Sequence, residues 1–183
     1  MYRFIVILLV PFLLVSCSLP GTEDESVVVE ENTVVYEDDL VSMRVPKTWS
    51  GKTDGLPTPR VGSIVAAFVS ADVKQGFANN FLILSDTLMN IMTSRRYSEL
   101  NILQTKKNYY EYASLKEEDI TFSDNEPSRV YVFEARYNET TPKLKFIQTA
   151  RVCGTKVYLL HFTLSPEKKS ENYISLLKTF TCK

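Results

Sequence analysis

The strongest constraint on this chain is the stretch from Ile120 to Leu164, which reads as strand after strand. Ile120–Ser123, Arg129–Tyr137, Lys143–Cys153 and Thr155–Leu164 are rich in aromatic, β-branched and alternating apolar residues, the composition of a pleated, half-buried surface. Their connections read as turns: Asp124-Asn125-Glu126-Pro127, Asn138 to Pro142, and Gly154. In the last strand Tyr158, Leu160, Phe162 and Leu164 share one face, and Val157, Leu159, His161 and Thr163 share the other, because side chains alternate along a strand.

Earlier in the chain, Thr33–Tyr36 and Leu40–Val45 read as a β-hairpin turning at Asp38-Asp39, and Pro46 stops its second strand. A long loop is expected from Lys47 to about Gly62, opened by Trp49, the single tryptophan. Ser63–Ser70 and Asn80–Thr87 are apolar at nearly every position, the pattern of central strands covered on both faces. A helix is expected from Ser94 to about Ala113, with Tyr97, Leu100, Leu103 and Tyr110 as its buried stripe. A second is expected behind Ser165 as N-cap and Pro166 as first helical residue, burying Tyr173, Leu176, Leu177 and Phe180.

The N-terminus has the parts of a secretory signal. Arg3 is its positive region, and Phe4–Val15 is an apolar run interrupted by Pro11. That run is shorter than the roughly 20 residues that span a bilayer as a helix. Leu14-Val15-Ser16-Cys17 reads as a lipobox: the Cys17 thiol takes a diacylglyceryl group, and cleavage before it leaves a lipidated N-terminus. Two acyl chains meet the requirement for stable anchoring. Residues 1–16 are then a lipoprotein signal peptide. Residues 17–33, with five carboxylates and no basic residue, are an acidic flexible tether. Residues 34–183 are one globular domain. The expected address is outside the cytoplasm, lipid-anchored to the cell membrane, or to the outer membrane if the host has two.

With Cys17 lipidated, Cys153 and Cys182 remain. In an exported domain they can form a disulfide; two buried free thiols are the alternative. The formal net charge of −1 carries no electrostatic footprint for nucleic acid. No metal site is expected from one histidine and no Cys-x-x-Cys pair, and no cofactor motif stands out. The lone His161 sits among apolar strand neighbours without the nucleophile and orienting carboxylate of a catalytic triad, so it reads as a covered core residue, and no catalytic residues are assigned. Tyr109, Tyr110 and Tyr112 crowd the end of the first helix. They and Trp49 are candidates for an interaction surface, since aromatics are enriched at interfaces. The alternative is that they pack: the tyrosines under a strand end, Trp49 as a plug at one end of the sheet.

The order of these features resembles the PsbP-like superfamily, which includes DcrB-like and other bacterial lipoproteins. The matching residues are Tyr36, Leu40, Met43, Val45, Pro46 and Trp49 at the start, and Phe81 to Leu84 before a helix opening near Tyr97. They continue through Tyr131–Tyr137, Phe146–Arg151 and Tyr158–Thr163, and end in a closing helix with Tyr173 and Thr179-Phe180. The resemblance implies an α+β fold, an α/β/α sandwich built on a mainly antiparallel sheet of about six to seven strands with two long helices. It brings no shared catalytic machinery, and photosystem binding by plant members does not transfer to this chain.

The function expected is that of a non-enzymatic accessory or binding module of an envelope protein complex, its partners being the membrane, through the lipid, and an envelope protein. A carrier or sensor of a small hydrophobic ligand is the alternative, and it requires a cavity near Trp49 or the tyrosines. A hydrolase using His161 or a carboxylate pair ranks third.

Overall fold

The computed structural model describes residues 32–56, 59, 62–74 and 76–183; Cys17 and the tether through residue 31 lie outside them. The described strands are β1 (Thr33–Glu37), β2 (Val41–Pro46), β3 (Trp49–Gly51), β4 (Ser63–Lys74), β5 (Phe77–Thr87), β6 (Tyr110–Thr121), β7 (Pro127–Arg136), β8 (Leu144–Cys153), β9 (Lys156–Leu164) and β10 (Thr181–Cys182). The helices are α1 (Ser94–Asn108), between β5 and β6, and α2 (Ser170–Lys178), between β9 and β10. Seven strands form one sheet in the order β3-β4-β5-β9-β8-β7-β6, and β1-β2-β10 form a smaller one. Every pairing is antiparallel.

Local chemistry accounts for the hairpins. Asp38 Oδ1 accepts from the Leu40 and Val41 amides at 2.7 and 2.9 Å, an Asx turn that closes β1 onto β2. Gly154, at φ +63°, supplies the left-handed residue between β8 and β9 that a side chain would disfavour.

The alternation of β9 separates two cores. Tyr158, Leu160, Phe162 and Leu164 join Phe81, Ile83, Ile147, Val41, Met43, Leu177 and Phe180 in one buried cluster. This cluster is closed by the small sheet and α2. On the opposite face Tyr131, Phe133, Ala135, Leu144 and Phe146 pack with Ile102 of α1 and with Tyr109 and Tyr112. The disulfide expected between Cys153 and Cys182 is formed, with 5.8 Å between the Cα atoms. It links the end of β8 to β10, and so ties the small sheet to the large one.

Several expectations are corrected. Trp49 opens no loop: it pairs with Ser70 as the first residue of β3. The first helix ends at Asn108, because Tyr109 is already extended and Glu111 has φ +50°. Residues from Tyr110 onward are the edge strand β6, whose Lys116-Glu117-Glu118-Asp119 run masks the strand pattern; charge on an edge strand blocks further pairing. The second helix starts at Ser170, not behind Ser165. The Ser165 amide and hydroxyl both donate to Asn79 Oδ1, at 2.7 and 3.1 Å, so that hydroxyl serves β5 instead of capping the helix. At nine residues, α2 is also shorter than expected.

The buried face of α1 differs most from expectation. Its buried residues are Ser94, Ser98, Ile102 and Thr105, while Leu100 and Leu103 are 38% and 52% exposed and Tyr110 is 48% exposed. The cause lies in the sheet. Pairing of β7 with β8 ends at Tyr131↔Gln148, so the β8 amides beyond it lose their β7 partners. The Ala150 amide donates to Ser98 Oγ at 2.8 Å and the Val152 amide to Ser94 Oγ at 2.9 Å. Buried backbone donors need acceptors, and two helix serines supply them where leucines could not.

Candidate functional site: an open cleft beside helix α1

The helix α1 covers only part of its sheet face. Its packing contacts are with β7 and β8, which leaves β9, β5 and β4 without a helix above them. The expectation that Ser63–Ser70 and Asn80–Thr87 are covered on both faces therefore holds for one face only. Phe68, Phe81 and Ile83 enter the core, but Leu82, Leu84 and Val69 are only half-buried on the other side. Between them and the flank of α1 lies a cleft of about 960 Å³, at the upper end of the roughly 300–1,000 Å³ of small-molecule sites.

The floor follows from register. Ala67 stands opposite Leu82, Leu82 opposite His161, and His161 opposite Gln148, so these four lie in one row across four strands. The next row holds Ile64, Leu84 and Leu159. The floor is thus aliphatic toward β4 and polar toward β8. From α1 come Tyr97, Asn101, Gln104, Thr105 and Asn108, and Tyr109 and Tyr137 close one end. Lys52 and Asp86 are the charged residues lining the cleft among those described, one of each sign.

The polar side is a connected chain. Gln148 Nε2 donates to Asn101 Oδ1 at 2.5 Å and to Thr105 Oγ1 at 3.2 Å. The Thr105 hydroxyl donates to the Asn101 carbonyl at 3.2 Å, which leaves its oxygen to accept. Gln148 Oε1 then faces His161 Nδ1 at 3.2 Å. An amide oxygen only accepts, so Nδ1 carries the proton. Burial pushes the His161 pKa down to about 4, and the ring is neutral at pH 7. Its Nε2 lone pair has no partner among the described residues. Burial raises the Tyr97, Tyr109 and Tyr137 pKa values, helped by Asp86 at Tyr97 and by Tyr137 at Tyr109, so all three phenols stay protonated.

The residues proposed from sequence as an interaction surface are mostly packed. Trp49 lies on the opposite side of the sheet from the cleft, its ring 5.8 Å from Phe162 and 6.1 Å from Tyr173; it is the plug. Tyr109 packs 5.0 Å from Phe146 and Tyr112 4.8 Å from Phe133. Of the four, Tyr110 is the exposed one, and Tyr109 alone reaches the cleft. His161 is covered, as expected, but it also forms part of the cleft floor. The ligand-carrier reading of the sequence asks for a cavity near Trp49 or the tyrosines, and the cleft reaches Tyr109 of that cluster but not Trp49; its floor goes unassigned in the sequence, although Leu82, Leu84 and Leu159 are apolar on the face that α1 does not cover. Among the described residues no helix is long and apolar enough to cross a membrane, and no group of three or more metal-binding side chains occurs.

No known protein family and no curated protein sequence matches this chain. Among solved structures it is similar to the cyanobacterial PsbP protein CyanoP from Synechocystis sp. PCC 6803, at TM-score 0.54 and 9% identity, covering 83% of this chain and 93% of that one. It is also similar, at TM-score 0.49 and 14% identity, to PA94, a protein of unknown function from Pseudomonas aeruginosa, covering 74% of this chain and 84% of that one. The similarity to CyanoP is one of fold, and the strand order and helix placement above agree with the α+β sandwich expected from sequence. The chain has a PsbP-like fold.

Proposed function

We propose that this protein is a non-enzymatic accessory module of the cell envelope, held at the membrane by lipidated Cys17, and that it takes a small hydrophobic ligand in the cleft beside α1. One observation carries the ligand reading: a cavity of about 960 Å³ whose aliphatic floor is left uncovered by the helix. It ranks above a docking surface because Trp49, Tyr109 and Tyr112 are occupied in packing. It ranks above hydrolysis because His161 Nδ1 meets an amide oxygen, which does not stabilise an imidazolium as a carboxylate does.

The test is titration of the full chain carrying Cys17→Ala, so that no acyl group competes, with the neutral fluorophore N-phenyl-1-naphthylamine. Saturable binding to one site, lost in Leu82→Trp while circular dichroism stays unchanged, is the expected result. Absence of binding, or binding that Leu82→Trp leaves intact in a folded protein, would overturn it.

A further inference from the structure

We infer that the cleft selects an uncharged, single-chain amphiphile whose head donates a hydrogen bond, a hydroxyl or amide N–H, to His161 Nε2. This rests on the cleft being the binding site, and goes on to name what that site accepts.

The polar groups on the floor are already committed to one another, and the commitments run in one direction. Thr105 gives its proton to a helix carbonyl, Gln148 gives its amide protons to Asn101 and Thr105, and His161 gives its Nδ1 proton to Gln148. The Tyr137 hydroxyl lies 3.1 Å from Thr163 Oγ1. What remains at the end of the chain is an acceptor, the Nε2 lone pair of a neutral ring, which has no protein partner among the described residues and is not among the buried unpaired atoms, so water reaches it in the open cleft. A ligand that displaces that water without replacing its hydrogen bond leaves a buried acceptor unpaired, which is costly, so a ligand that supplies a proton there gains over one that does not.

The same arrangement disfavours other heads. A carboxylate or phosphate would bring lone pairs against a lone pair, and His161, being buried, resists the protonation that would welcome an anion. Lys52 and Asp86 offset each other in the lining, so neither sign of ligand charge is attracted overall. A head with no donor would leave Nε2 unpaired and dehydrated. The aliphatic rows of Ile64, Leu84 and Leu159 beside Ala67 and Leu82 leave an apolar track running from His161 across β5 to β4, which a hydrocarbon chain fits.

Lauryl alcohol, lauryl methyl ether and laurate share one chain and differ in the head. In displacement of N-phenyl-1-naphthylamine at neutral pH, the alcohol is expected to compete at roughly tenfold lower concentration than the ether or laurate, the size of one well-made hydrogen bond. His161→Leu should bring the alcohol and the ether level. On the unmodified protein, the His161 Nε2 nitrogen resonance should move with the alcohol and stay in place with the ether, a readout that survives if His161→Leu fails to fold. If fluorophore binds but the three heads compete equally, or if laurate wins, the donor-headed ligand is wrong while the cleft remains a binding site. If no fluorophore binds at all, the cleft reading and this inference fall together.

Discussion

Gln148 and His161 stand opposite each other in the β8–β9 ladder, with Oε1 of the first 3.2 Å from Nδ1 of the second. The pair holds a neutral histidine in one tautomer beneath an apolar cleft. Neither residue is on a loop. Rigid strands set their spacing, and the amide is itself fixed by Asn101 and Thr105 from α1. A site positioned in this way is ordered before any ligand arrives, which lowers the ordering cost of binding.

The first prediction concerns acid stability. The folded His161 pKa, about 4, lies below its ordinary 6.5. Between those values the unfolded chain binds more protons than the folded one, so stability falls as the pH drops from 6.5 towards 4 and the contribution levels off below that. Its size is about 3 kcal/mol for a shift of this order. Urea unfolding across this range should show that loss, and His161→Leu should remove its part of the slope. An identical slope in the variant would assign the acid sensitivity to other groups.

The disulfide is expected to hold the two sheets together. Cys153 and Cys182 are separated by 29 positions, and closing a loop of that length contributes roughly 3–4 kcal/mol in the chain-entropy model. Cys153→Ala combined with Cys182→Ala should lower the unfolding free energy by about that amount, with fraying of β10 seen first by hydrogen exchange. Intact mass should show two hydrogens missing from the unmodified chain and restored on reduction.

Helix α1 offers a sharper test, because its polar residues are the buried ones. Ser98→Ala leaves the Ala150 amide without its acceptor and should cost about 1–3 kcal/mol. Leu103→Gln, on the exposed face, should change stability by less than about 0.5 kcal/mol. A larger loss at Leu103 than at Ser98 in chemical denaturation would contradict the packing described.

At the N-terminus, Cys17→Ala should release the protein from membranes or leave it unprocessed, and fractionation with detection of the acylated peptide would show which. Unchanged membrane retention together with unchanged processing would count against the lipobox.

Most of the large sheet is legible in residue type and spacing. The alternation of Tyr158, Leu160, Phe162 and Leu164 assigns the core face of β9, and the turns at Asp38-Asp39 and Gly154 place two hairpins, since period and turn chemistry are local properties. The elements that mislead have partners far away along the chain. β3 and β6 are edge strands, one very short and the other charged, with little apolar signal of their own. Ser165 looks like a helix cap but answers to Asn79. Tyr97, Leu100 and Leu103 look like a stripe, but the deciding fact is that β7 and β8 part beyond Gln148, which no local pattern records.

Two properties of this protein are therefore written in its residues alone: the strand-rich α+β composition and the alternation that gives β9 two faces. Each depends only on residue type and spacing. Which face α1 covers, and how much of it, is set by tertiary packing. That choice depends on backbone amides freed in a distant strand pair, and it leaves Leu82, Leu84 and His161 lining a cleft that helix α1 does not cover.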